Sequence, residues 1–166
     1  LTPSQRFDSK IKNLPNLEEL QNNFQLSNLV VGVFPKLKTL KMKYCVFFEN
    51  VDIITNLESL TLQKIKTASR HDTIHDKILV PIGRCVNLKE LIFINNREMR
   101  DRLDDLQNIR IPDSIGNLIH LETLDLTNNK IEEIPPTIGN LLGLKNLFLG
   151  GNLLEELPSS ITNLRS

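Results

Sequence analysis

The sequence has no tryptophan, and aromatic residues make up only 5% of its 166 positions. Its core must therefore be built mostly from aliphatic side chains. Only two cysteines occur, Cys45 and Cys85, too few for a disulfide-stapled scaffold. No apolar run approaches the roughly 18–20 residues of a membrane-spanning helix. No charge sign dominates, because 20 basic side chains balance 20 acidic ones. A chain of net charge +0 lacks the overall field that draws a protein to nucleic acid or an anionic membrane. Glycine-rich phosphate loops are missing, as is any Ser, His and Asp set at catalytic spacing. Together these absences predict a protein that is not an enzyme, holds no cofactor and has no nucleic-acid, membrane or small-molecule partner. What is present is 40% apolar residues, enough for the core of one domain.

Those residues recur at a fixed period. LETLDLTNNKIEEIPPTIGNLLG (121–143) is followed by LKNLFLGGNLLEELPSSITNLRS (144–166), matching apolar for apolar, Asn for Asn and Pro for Pro at a spacing of 23. Numbered from the first Leu, slots 1, 4, 6, 11, 14, 18 and 21 are apolar, slot 9 is Asn and slot 15 is Pro. Leu124 and Leu126 lie two apart, so they share one face of a strand. One such unit cannot bury that face alone, whereas stacked units can. The slot-9 amide is suited to bond backbone groups that the turn leaves unpaired. Asn96, Asn129 and Asn152 are thus expected to form a structural ladder rather than a functional site.

The pattern resembles the leucine-rich repeat family, carried by Leu121, Leu124, Leu126, Asn129, Ile131, Ile134, Pro135, Ile138 and Leu141. The resemblance implies an α/β solenoid, a horseshoe of about six repeats. A short strand is expected at slots 3–7 of each repeat, together forming a parallel sheet on the concave face. A 3₁₀-like, helical or irregular return follows near slots 15–21 on the convex face. LPxxIxNLxxLxxLxLxxN looks like the intracellular plant and Ras-group repeats. LEELPSSITNL (154–164) and IPDSIGNL (111–118) also look like the repeat region of plant nucleotide-binding immune receptors.

Extending the frame backwards places repeat starts at 17, 37, 57, 88, 121 and 144, within a repeat domain of 17–166. Gln25 and Ile65 depart from the pattern at slot 9. Residues 1–16 fit a half-repeat through Phe7, Ile11 and Leu14, and equally a short capping helix opened by TPSQ with Pro at its first position. Ser166 fills its repeat, so the chain is expected to be a fragment of a longer protein or to meet another chain at its open end. Two repeats are long, with insertions near 67–77 and 97–108 on the same side of the stack. In the first, His71 and His75 are four apart beside Asp72 and Asp76, a spacing that on a helix would suit Zn²⁺. A third ligand and the metalloprotease Glu are missing, so the expectation is a solvated polar insert with no metal. Cys45 in slot 9 and Cys85 in slot 21 both face the interior and belong to different parts of the repeat. Unpaired buried thiols fit a reducing, cytoplasmic setting.

Function should then lie on the outward slots of the concave sheet. Lys41, Lys43 and Tyr44 form a basic patch with one aromatic ring. Ile92, Ile94 and Phe148 are apolar where the fold does not need it, and Asp125 and Thr127 lie among them. These eight positions are the expected contact site for a protein partner, with the inserts as a further contact region. The alternatives are the ligand-recognition or autoinhibitory region of a plant immune receptor and, more remotely, a metal-dependent hydrolase built on the His/Asp insert.

Overall fold

Alternating apolar residues build the sheet. In a computed structural model the described residues are 16–22, 35–44, 46–47, 55–67, 78–96 and 109–165. Strands β1 (Glu19–Asn22), β2 (Thr39–Lys43), β3 (Val46–Phe47), β4 (Ser59–Gln63), β5 (Lys66–Thr67), β6 (Glu90–Ile94), β7 (Thr123–Asp125) and β8 (Asn146–Phe148) follow in chain order. Six of them form one open parallel sheet in the order β1-β2-β4-β6-β7-β8, and β3 and β5 pair as a separate short ribbon. Pairing joins equal slots throughout. Gln21, Lys41, Thr61, Ile92, Asp125 and Phe148 stand in one row across the sheet. A one-residue slip would turn every Leu to solvent, so burial of one face fixes this register.

In β2, β4 and β6 the slot-4 and slot-6 residues are buried, and those in slots 3, 5 and 7 are half-buried. These strands span slots 3–7 as predicted, but β7 and β8 stop at slot 5. In β7 the cause is local. The Asp125 carboxylate accepts the Thr127 backbone N–H at 2.9 Å and pulls the chain into a turn.

The return segments begin at proline. Pro112, Pro135 and Pro158 are extended, and each precedes a 3₁₀ turn: Asp113–Asn117, Pro136–Asn140 and Ser159–Asn163. A single helical turn, Val80–Ile82, takes the same place one repeat earlier. Proline suits this site because its fixed φ sets the entry and no N–H is left unpaired. The turns pack closely enough that Gly116 and Gly139 have no room for a side chain. A Cβ on Gly139 would sit 2.6 Å from the Ser160 carbonyl oxygen, and one on Gly116 would sit 2.7 Å from that of Thr137.

Between the sheet and the returns runs an aliphatic core. Leu121, Leu124, Leu126, Ile131, Ile138 and Leu141 from one repeat are fully buried, as are Leu88, Leu91 and Phe93 from the repeat before it. In the last repeat the corresponding Leu147, Leu149, Leu154, Ile161 and Leu164 are only partly buried, packed from one side. The N-terminal segment 1–15, Cys45, and the inserts at 68–77 (including His71 and His75) and 97–108 lie outside the described residues.

Candidate functional site

The turns that follow β6, β7 and β8 are held by asparagine. Asn96 and Asn129 are completely buried. Asn129 Oδ1 accepts the backbone N–H of Asn96 at 2.9 Å, and Asn152 Oδ1 accepts that of Asn129 at the same distance. The amide nitrogens point the other way, from Asn96 to the Leu62 carbonyl at 3.0 Å and from Asn152 to those of Leu126 and Leu149, both at 2.8 Å. Asn129 reaches the Phe93 and Leu126 carbonyls in the same manner. Ile65, which departs from the slot-9 pattern, is buried and donates its backbone N–H to Asn96 Oδ1 at 3.0 Å. These bonds satisfy buried backbone groups and hold the rim of the concave face rigid.

A second device holds the opposite edge of the sheet. Slot 2 reads Glu18, Lys38, Glu58, Lys89, Glu122, Lys145, a strict alternation of sign across six repeats. Lys89 lies 2.8 Å from Glu58, Lys145 lies 2.7 Å from Glu122, and Lys38 lies 3.7 Å from Glu58. Lys89 holds the Glu58 carboxyl below its ordinary value, and the same pair raises Lys89. Lys145 lowers Glu122 in turn. Beneath the side chains the first five slot-2 carbonyls each accept two backbone N–H groups from the next repeat. The Glu122 carbonyl, for example, takes those of Lys145 at 2.8 Å and Asn146 at 3.0 Å. Reading slot 2 down the repeats shows the alternation at once, but attention to the apolar slots passes over it.

The concave face lies between these two edges. Lys41 and Lys43 stand outward on β2 with Tyr44 just past its end, Ile92 and Ile94 stand outward on β6, and Asp125 and Phe148 on β7 and β8. The structure brings all of them to one face but does not merge them. Adjacent strands are about 4.8 Å apart, so Ile92 and Phe148 are separated by roughly 10 Å with Asp125 between them. The apolar surface is therefore two spots rather than one cluster. Ile92 and Ile94 are half-buried between the polar rows of β4 and β7, whereas Phe148 is 50% exposed. Asp125 already accepts the Thr127 amide, and Lys41 lies 3.9 Å from Glu19.

Lys64 was not among the expected contacts, yet its ammonium lies 5.0 Å from the centre of the Tyr44 ring and 3.3 Å from its hydroxyl. Both residues occupy slot 8, the position after the strand, from which the expected site took Tyr44 but not Lys64. Elsewhere, the Cys85 thiol is buried, and burial pushes its pKa up to about 11, the behaviour of a core residue and not of a nucleophile. No group of three His, Cys, Asp or Glu among the described residues is placed to hold a metal ion. No described helix is long and apolar enough to cross a membrane.

Residues 120–141 match the family model for the Leucine Rich Repeat. The chain is a leucine-rich repeat solenoid. Solved structures extend the match beyond one repeat. A leucine-rich repeat protein of Leptospira interrogans is 25% identical with a TM-score of 0.70, over 93% of this chain and 38% of that one. The leucine-rich repeat ectodomain of the Arabidopsis receptor kinase HAESA, solved in complex with an N-terminally extended IDA peptide hormone, is 25% identical with a TM-score of 0.62, over 92% and 25%. An internalin of Listeria monocytogenes, 22% identical with a TM-score of 0.63 over 94% and 41%, shares the fold. The chain thus spans less than half the length of each of these three proteins. No curated protein sequence matches it. Leucine-rich repeats of this kind are typically binding scaffolds without catalysis of their own.

Proposed function

We propose that this solenoid is a protein-interaction module that holds a protein or peptide partner on its concave sheet, centred on Ile92 and Ile94. The observation that carries this is the contrast within the outward rows. β2 presents Thr39, Lys41 and Lys43, β4 presents Ser59, Thr61 and Gln63, and β6 presents Glu90 and then two isoleucines. Folding does not require apolar residues on that face, since β1, β2, β4 and β7 do without them. Apolar side chains ringed by polar ones are the common core of a binding patch. Lys41, Lys43, Tyr44, Asp125, Thr127 and Phe148 extend the surface to either side. That the HAESA ectodomain is solved in complex with a peptide hormone supports a binding role for a similar solenoid.

The test is a double replacement, Ile92→Asp with Ile94→Asp. Circular dichroism and the melting temperature should stay close to wild type, because neither side chain belongs to the core. A partner captured by the wild-type solenoid should bind the variant at least about tenfold more weakly, the effect of losing a central contact. Equal capture by both proteins would refute the proposal. A narrower reading, the recognition or autoinhibitory region of a plant immune receptor, is favoured by LEELPSSITNL (154–164). Finding no nucleotide-binding domain in the full-length protein would exclude it.

A further inference from the structure

Five repeats place the residue after slot 7 in left-handed backbone: Tyr44 at φ 57°, Lys64 at 53°, Asn95 at 55°, Asn128 at 60° and Gly151 at 70°. The exit from the strand therefore requires a positive φ. Asn and Gly meet that requirement at little cost. Tyrosine and lysine do not, because their Cβ crowds the following carbonyl. These two unsuited residues sit on neighbouring repeats. Burial does not repay the strain, since Tyr44 is 51% exposed and Lys64 is exposed. Lys130 shares this backbone at φ 57° but is half-buried; strain held by two exposed side chains that touch each other is what points to a use outside the fold.

Their arrangement says what that use is. The Lys64 ammonium lies 5.0 Å from the centre of the Tyr44 ring, close enough for a cation–π contact, and donates to the Tyr44 hydroxyl at 3.3 Å. That hydroxyl, accepting from Lys64, keeps its own proton for an incoming acceptor. Lys41 and Lys43 stand outward on the strand that leads into Tyr44. Three ammonium groups and one phenol thus share a corner of the concave face, and the nearby Glu19 carboxylate lies 3.9 Å from Lys41.

We propose that Tyr44, Lys64, Lys41 and Lys43 form a subsite for an extended acidic segment of the protein partner. The proposal rests on the concave face being the partner-binding surface and names the chemistry of one end of it. Carboxylates suit the three lysines, and the Tyr44 hydroxyl completes their contact. The sheet is concave, so it fits a chain laid along its rows better than a flat bilayer. Nucleic acid would require a wider basic field than a molecule of net charge +0 provides.

The experiment compares the wild type with a Tyr44→Asn, Lys64→Asn double variant. Binding of fluorescein-labelled octaglutamate is read by anisotropy at low salt, with octaglutamine as the control. Asparagine suits the left-handed turn, so the variant should melt higher by roughly 2–4 °C or more. Its affinity for octaglutamate should fall at least tenfold. A Lys41→Gln, Lys43→Gln variant should lose affinity with no gain in melting temperature. Raised salt should weaken the wild-type complex. Three results would overturn the subsite: wild type that ignores octaglutamate, a double-Asn variant that binds it as tightly, or wild type that prefers phosphatidylserine vesicles or single-stranded DNA. Failure of the octaglutamate arm thus removes this subsite while the isoleucine patch stands on its own capture test.

Discussion

Single residues carry more of this fold than their size suggests. Asn129 is fully buried, donates to the Phe93 and Leu126 carbonyls and accepts the Asn96 N–H. Replacing it with Ala would leave these groups unpaired in a dry interior, where each unmade bond costs about 1–3 kcal/mol. Asn129→Ala should therefore lower stability by roughly 3 kcal/mol or more, read as a fall in the urea midpoint at constant slope. A change within about 0.5 kcal/mol would mean that water takes over the bonds and that the asparagines are not a connected support. The positions of Asn96, Asn129 and Asn152 were legible because one polar residue recurs at one slot among apolar ones. Lys64 was not legible, because nothing in its local sequence announces a left-handed backbone. Only the column Tyr44, Lys64, Asn95, Asn128, Gly151 betrays that requirement, through the Asn and Gly of its later members.

At the scale of elements, strands and returns obey different constraints. The strands were foreseen because Leu at slots 4 and 6 has the two-residue period of a buried sheet face. Their shortening in β7 was not, because it depends on the Asp125 side chain capping its own backbone. The 3₁₀ turns were foreseen near proline, but their close approach through glycine was not. At Gly116 and Gly139 an added methyl group would meet backbone oxygen of the following repeat, which cannot swing aside as a side chain tip can. Gly139→Ala should therefore cost about 1–3 kcal/mol, read by thermal or urea unfolding. Gly150→Ala serves as the control, because an added Cβ there meets nothing within 4 Å. Equal stability of the two variants would show that the convex turns do not set the spacing of the repeats. The charge ladder at slot 2 belongs to the same scale, aligning each repeat with the next through ion pairs above doubled backbone bonds.

For the molecule as a whole, function follows from repetition with local exceptions. The solenoid supplies a curved sheet whose outward rows face away from the core. Each row is free to vary because the core does not depend on it. The architecture was readable from the period together with the resemblance to leucine-rich repeats that it carries. Readable too were the outward positions, since alternation assigns every strand residue to one face. Their grouping was not, because it depends on which strands are neighbours and on what stands between them, as Asp125 stands between Ile92 and Phe148. A direct measurement places a photo-crosslinking amino acid singly at 61, 94 and 148 on the concave face and at 133 and 156, exposed positions outside the strands. One partner protein should be captured from the concave positions, most strongly at 94, and the other two positions should give none. Capture chiefly from 133 and 156, with none from 94, would contradict binding on the concave face.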